Sequence, residues 1–229
     1  MIKIDIISVQ PKMFEGFLRE SIVARAEKKG ACAITISDLR DFAHDKRRTV
    51  DDKPYGGGPG MLMKCEPWFE AIETHLGEEK AGDDVRVIMT SPSGRRFTQR
   101  DAESLAGCRH LIFMCGHYEG FDARCRTLAT DEFSIGDFVM TGGELAAAAM
   151  TDSIVRLLPG VLGGGPAATA NESFGRENML EAPQYTHPAE FRGMKVPEVL
   201  TCGDHRRIDA WKKAEAKKLT KQVRPDLID

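Results

Sequence analysis

Residues 85 to 120 contain, in order, Val85-Arg-Val-Ile-Met-Thr90, Ser91-Pro-Ser-Gly94, Thr98-Gln-Arg-Asp101, Leu111-Ile-Phe-Met-Cys115 and Gly116-His-Tyr-Glu-Gly120. Two β-rich runs flank a segment that opens on a capping-box spacing, Thr98 with Asp101 three residues on, which predicts a helix to Ala106. Each apolar run ends in a glycine-bearing turn. A short continuous apolar run such as Leu111–Cys115 suits a strand buried on both faces, as in parallel sheets. Strand, glycine loop, helix, strand, glycine loop points to an α/β fold. In such sheets ligands bind outside the carboxyl ends of the strands.

The same alternation extends outward. Ile2–Val9 reads as a first strand, with Pro11 as its stop. Met13, Phe14, Phe17, Leu18, Ile22 and Val23 predict a helix over 12–29, ended by Gly30. Ala33–Leu39 reads as a second strand, and 66–76 and 121–130 as helices. Glu144–Leu158 is Ala-rich and helix-like, stopped by Pro159. The composition then changes. Residues 160–175 hold five glycines and little apolar mass, which predicts a flexible linker. Residues 205–224 carry eight Lys/Arg against two Asp/Glu, with Ile208, Trp211 and Leu219 at helical spacing. The expected organisation is a domain over 1–162, a linker over 163–176 and a small helical domain over 177–229.

A chain of 229 residues, 41% hydrophobic and 29% charged, can bury a full core. Its net charge of −3 excludes a strongly basic coat-type nucleic-acid binder. That sum conceals an uneven distribution, however: 205–224 carries +6, so the remainder carries −9. No apolar run approaches the ~20 residues of a membrane span, and the start has no secretory signal pattern. Cys32, Cys65, Cys108, Cys115, Cys125 and Cys202 form no C-x-x-C pair. The expectation is a cytoplasmic protein with reduced thiols and no membrane partner.

Glycines cluster in Pro54-Tyr-Gly-Gly-Gly-Pro-Gly60, Ser91–Gly94, Cys115–Gly120 and Ile135-Gly-Asp-Phe-Val-Met-Thr-Gly-Gly143. Three of these follow strand-like runs, which favours a ligand site over unrelated tight turns. No G-x-x-x-x-G-K-[ST] is present, and the first strand runs into Gln10-Pro11-Lys12 rather than G-x-G-x-x-G. Loops this small and neutral suit a ligand recognised by backbone groups.

These strings also match a known family. His44-Asp-Lys-Arg-Arg-Thr-Val-Asp-Asp52, Pro54-Tyr-Gly-Gly-Gly-Pro-Gly-Met61, Cys115–Gly120, Ser134-Ile-Gly-Asp137, Gly142-Gly-Glu-Leu145 and Pro159-Gly-Val-Leu162 resemble the bacterial tRNA (guanine-N1)-methyltransferase (TrmD) family of the SPOUT class. The resemblance continues through Gln184–Pro188, Val196-Pro197 and the Trp211 helix to Arg224-Pro-Asp-Leu227. It implies a mostly parallel SPOUT sheet whose C-terminal loops form a trefoil knot, a rare exception to unknotted chains, followed by the small helical domain. It implies S-adenosylmethionine as cofactor, with Thr90, Ser91, Pro92, Gly94, Gly116, Tyr118, Glu119, Gly120, Ile135, Gly136, Phe138, Met140, Gly142, Gly143 and Leu145 as its site. Phe138 stands where the family usually has tyrosine, and Ala146 near a place often held by proline. A homodimer whose active site combines both subunits is implied too. Magnesium dependence is carried over as well, with Glu119 the nearest candidate, although the sequence offers no carboxylate cage for the ion.

The reaction so implied is methyl transfer to N1 of the guanosine immediately 3′ of the tRNA anticodon. Guanine N1 carries a proton at neutral pH, so a base must accept it, and charge then develops on O6; a carboxylate and an arginine meet those needs. The resemblance places Arg156 as the arginine; as a helix C-terminal cation it also suits the macrodipole. Alignment on Ser173-Phe174 puts Glu172 in the base position, whereas alignment from Gly163 puts Asn171 there, which cannot act as a base. Glu172 is the expected base. His44, Asp51, Tyr55 and Ser173 are expected at the anticodon loop and target base, and the basic 205–224 helix at phosphates. Two alternatives remain, another SPOUT RNA methyltransferase and a non-catalytic RNA-binding protein that kept the fold.

Overall fold

The structure, a computed structural model, describes residues 1–163, 169, 172–175 and 178–228. Expectations that fall on the rest of the 163–176 segment, Asn171 included, lie outside the described residues. The chain divides into two compact units, Met1–Gly163 and Gly164–Asp229.

In the first unit, strand β1 (Ile2–Ser8) leads through a 3₁₀ turn to short helices α1 (Glu15–Arg19) and α2 (Ser21–Lys28), then β2 (Cys32–Asp38). The strand pair β3 (Asp51–Asp52) and β4 (Leu62–Met63) precedes α3 (Cys65–Leu76). Then come β5 (Val85–Arg96), α4 (Gln99–Ala106), β6 (His110–Cys115), β7 (Asp131–Ser134) and α5 (Glu144–Val155). The sheet order is β2-β1-β6-β5-β7, and every pairing in it is parallel. The expectation of a mostly parallel α/β sheet is therefore met.

Period-two burial explains the layers. In β6, Leu111, Phe113 and Cys115 pack with residues of α2, α4 and α5, while Ile112 and Met114 pack on the other face with Trp68, Ala71 and Ile72 of α3. Both faces of the strand are covered, which its unbroken apolar run requires. Thr98 closes the expected box on α4: its N–H and its Oγ1 donate to Asp101 at 2.8 and 2.7 Å.

Three expectations are corrected. The 12–29 helix is broken: Glu20 is extended and Ser21 sits at φ 59, splitting α1 from α2. Residues 121–130 hold a 3₁₀ segment, Ala123–Leu128, not an α-helix. The Arg124 side chain folds back on Asp122, and β7 begins three residues after the segment ends, which leaves no length for further turns. The third strand extends beyond Thr90 to Arg96, and its register against β7 shifts between Thr90 and Arg95. Gly94 permits this crossing, since a Cβ there would lie 2.6 Å from the Glu132 and Phe133 backbone.

A buried polar cluster sits away from the loops. Asp5, 1% exposed, is bound by Lys3 Nζ at 2.8 Å, His110 Nε2 at 2.8 Å and His75 Nδ1 at 3.1 Å. Burial alone would raise its pKa, but the bonds from His110, His75 and Lys3 prevail and hold it far below the usual carboxylate range. A depressed folded-state pKa stabilises above the unfolded value of ~3.9 and loses that stabilisation as pH falls below it. Asp5→Ala should cost about 3 kcal/mol at pH 7, the scale of breaking a buried pair. Denaturant titrations at pH 7 and pH 3.5 check this, and the gap from wild type should narrow at the lower pH.

The second unit contains the two-stranded pair β8 (Glu190–Phe191) and β9 (Met194–Lys195) and helix α6 (His205–Val223). Asp204 caps α6, accepting from the backbone N–H of Arg206 and Arg207 at 3.0 and 3.2 Å. Its half-buried stripe is Ile208, Trp211 and Leu219, and Trp211 packs on Tyr185 with centroids 6.4 Å apart. Buried Thr220 accepts from Leu180 N–H at 2.9 Å. Lys212, Lys213, Lys217 and Lys218 face outward.

Candidate functional site

Strands β6, β5 and β7 are neighbours, so the glycine loops that follow them meet at one end of the sheet. Together they enclose a cavity of about 360 Å³, within the range of small-ligand pockets. Thr90 ties the loops at their base. Its Oγ1 donates to Met114 C=O at 3.0 Å and accepts from Gly116 N–H at 3.2 Å. Gly143 N–H donates to Gly116 C=O at 2.7 Å, and His117 bridges to Gly142. The loop after β7 therefore crosses directly over the loop after β6. A Cβ on Gly143 would fall on the Thr90 hydroxyl and lie 2.9 Å from Gly116 N, and one on Gly142 would lie 2.6 Å from His117 Nδ1. The crossing exists because these positions lack side chains.

All the expected cofactor residues line the cavity except Gly94 and Leu145. Gly94 lies at the β5–β7 crossing already described, and Leu145 is exposed. Tyr118 adopts a left-handed φ of 57 and stands edge-on to His117, centroids 4.9 Å apart. A bulky residue held at positive φ is strained, and such strain clusters at functional sites.

The remaining candidates are spread out. Arg156 follows α5 as its C-cap residue, half-buried, and does not line the cavity. Gly143 caps the other end of that 12-residue helix, about 18 Å away at 1.5 Å rise per residue. Glu172 and Ser173 belong to the second unit; Ser173 Oγ accepts from Glu181 N–H at 3.0 Å. His44 Nε2 meets Glu70 at 2.6 Å, Asp51 opens β3, and Tyr55 is fully exposed. The Tyr55 segment is tethered to the cavity. Glu119 N–H donates to Met61 C=O and Met63 N–H to Gly120 C=O, both at 2.9 Å.

Several lining residues were not expected from the sequence. Arg126 donates to Ser93 Oγ at 2.9 Å and pairs with Glu132 at 3.3 Å, forming a polar wall. Arg126 falls in the segment read as a plain helix, and Glu132 in a strand that apolar patterning does not signal. His117 lies in the Gly116–Gly120 loop expected at the cofactor, without an individual role of its own. Among the described residues no group of three or more His, Cys, Asp or Glu could hold a metal ion. No helix among them is long and apolar enough to cross a membrane.

Known proteins are similar to this chain over nearly its whole length. The family model described as tRNA (Guanine-1)-methyltransferase TrmD matches residues 2–229. A tRNA (guanine-N(1)-)-methyltransferase of Geobacillus kaustophilus is 51% identical over 228 residues, covering 99% of this chain and 91% of the relative. The one from Geobacter sulfurreducens is 51% identical over 227 residues, with the same shares. The one from Dictyoglomus turgidum is 50% identical over 229 residues, covering 100% of this chain and 91% of its own.

Proposed function

The chain belongs to the tRNA (guanine-1)-methyltransferase family, and from that premise we propose that it methylates N1 of the guanosine immediately 3′ of the tRNA anticodon, with S-adenosylmethionine as methyl donor. The observation that carries the reading is the convergence of three glycine loops on one cavity at the carboxyl end of a parallel sheet. Glycine and other small residues make up half of its lining, and positions where a Cβ would collide mark a close cradle. That fits an adenosyl group recognised by N–H and C=O groups, with Phe138 and Tyr118 offering aromatic faces. When bound, the cofactor supplies an electrophilic methyl on a sulfonium sulfur.

The protein's own contribution is orientation, proton removal and charge stabilisation. In-line methyl transfer depends steeply on alignment of donor and acceptor. Glu172 takes the N1 proton and Arg156 stabilises the charge that builds on O6. Arg156 stands at the end of α5 opposite the cavity lip, which favours a homodimer in which one protomer's arginine serves its partner's cavity. The Gly143–Gly116 crossing supports a trefoil knot through these loops, with residues 1–162 as the knotted catalytic domain. Residues 177–229 form the tRNA-binding domain, joined by 163–176, in a cytoplasmic enzyme. No step is assigned to magnesium, for which the described residues offer no cluster.

The deciding experiment is methylation of unmodified tRNA bearing that guanosine, with the product nucleotide mapped. A methyl group on N1 of that base is expected; transfer to a ribose or another position favours a different SPOUT activity, and none at all favours a binding protein. The tail has its own test. Changing Lys212, Lys213, Lys217 and Lys218 to Gln should lower tRNA affinity and flatten its salt dependence, by roughly 0.7–0.9 in log–log slope for each phosphate that α6 ceases to neutralise. An unchanged slope would make α6 a solubilising helix only.

A further inference from the structure

Behind the cavity wall lies a charge that the proposed reaction does not use. Glu144, first residue of α5, is 2% exposed. It accepts from Ser8 Oγ at 2.7 Å, and Ser8 Oγ in turn accepts from Gln10 N–H at 2.8 Å. Among the described residues no Lys or Arg pairs with it; the nearest cationic candidate is His117 Nδ1 at 3.8 Å, an atom with no hydrogen-bond partner. Glu144 itself does not line the cavity, but Gly142, Gly143, Ala146 and His117 beside it do.

The other charges around the cavity are compensated or screened. Arg126 and Glu132 neutralise each other, and Glu119 is exposed to solvent. A carboxylate as buried as Glu144 is screened much less. Burial, and then the Glu144 charge, push the neighbouring Cys115 thiol well above its usual pKa. The helix end itself would act the other way. The first N–H groups of α5 put a partial positive charge beside Gly142 and Gly143, which suits anions and opposes cations. An acid at the first helical position reverses that sign.

We propose that Glu144 is the specificity-determining residue that makes this cavity prefer the cationic sulfonium of the methyl donor over the neutral thioether of the spent product. This rests on the reading of the cavity as the S-adenosylmethionine site. The carboxylate acts through its field and not by touching the ligand. Its effect therefore shows as a difference between two ligands that share every other group.

Calorimetry on the full chain with S-adenosylmethionine and S-adenosylhomocysteine reads that difference directly. Glu144→Gln should lower the ratio of the two affinities about five- to thirty-fold, as expected for one charge roughly 8–17 Å away at an effective dielectric of ~20. The loss should fall on S-adenosylmethionine, with S-adenosylhomocysteine within about threefold of wild type. Glu144→Asp, which keeps the charge, should retain most of the ratio. Where Glu144→Gln does not fold, Glu144→Met removes the charge without leaving a buried amide to satisfy, and the same fall is expected. Equal weakening of both ligands by the neutral variants would overturn the proposal and leave Glu144 a scaffold for α5. Wild-type protein that binds neither ligand would instead overturn the reading of the cavity.

Discussion

Glu172→Gln should depress methyl transfer by about 10²–10⁴, the usual share of a general base, while leaving S-adenosylmethionine affinity within a few-fold of wild type. The two side chains have nearly the same shape, but the amide cannot accept a proton. Guanine N1 keeps its proton at neutral pH and offers no free lone pair for displacement. With Glu172 as the proposed acceptor, its removal should raise the barrier of the chemical step. Glu172 belongs to the second unit, whereas the cavity-lining residues all fall in the first. Because Gln keeps the shape of Glu, the cofactor cradle should stay unchanged. Single-turnover methylation of tRNA, beside calorimetry with the cofactor alone, separates the two quantities. Full turnover in the variant would move the base to another group. A parallel collapse in cofactor affinity would make Glu172 a structural residue.

The elements that were legible in the sequence share a cause. β6 carries an unbroken apolar run because helices cover it on both sides, β1 and the first half of β5 are apolar but for Lys3, Asp5, Ser8, Arg86 and Thr90, and α4 declares itself by its Thr98–Asp101 box. β7 was not legible: of Asp131-Glu-Phe-Ser134, Phe133 is the only apolar side chain. The strand exists because its backbone finds an edge of β5 to pair with, so tertiary context overrides local pattern. The 12–29 segment fails in the opposite sense, since its apolar spacing is helical throughout yet the backbone breaks at Ser21.

The site was legible as loops and not as interactions. Glycine clusters after strands mark where a chain must approach a ligand or itself, and the sheet order then brings three of them together. The bonds of Ser93 to Arg126 and Glu132 and the Glu144–Ser8 bond join residues far apart in the chain, 136 positions for the latter. No spacing rule reads such pairings from one sequence. The Gly142-Gly-Glu-Leu145 string identified the family, but only burial exposes Glu144 as a charge beneath the cavity.

Gly143→Ala should weaken cofactor binding by at least about 100-fold, roughly 2.7 kcal/mol, and reduce stability by about 1–3 kcal/mol through overpacking. Backbone strain is not the reason: Gly143 sits at φ −86, which alanine adopts freely. The reason is a collision. The added methyl falls on the Thr90 hydroxyl and 2.9 Å from the Gly116 nitrogen, which is fixed by its own bond to Thr90. The loop after β7 can accept the methyl only by lifting off the loop after β6, which opens the crossing that shapes the cavity. Gly120→Ala provides the contrast. Gly120 has φ +104 and nothing within 4 Å of an added Cβ, so its cost is backbone strain of about 1–3 kcal/mol with open space around it and no neighbouring loop pushed aside. Adding Thr90→Ala to Gly143→Ala removes the hydroxyl but leaves the Gly116 nitrogen in place. Partial recovery of binding is expected, and the double mutant should do better than the sum of the singles. Calorimetry and thermal unfolding across the four variants test the ordering. Equal losses at Gly143 and Gly120 would show that flexibility of the loops, and not their close crossing, holds the cavity open.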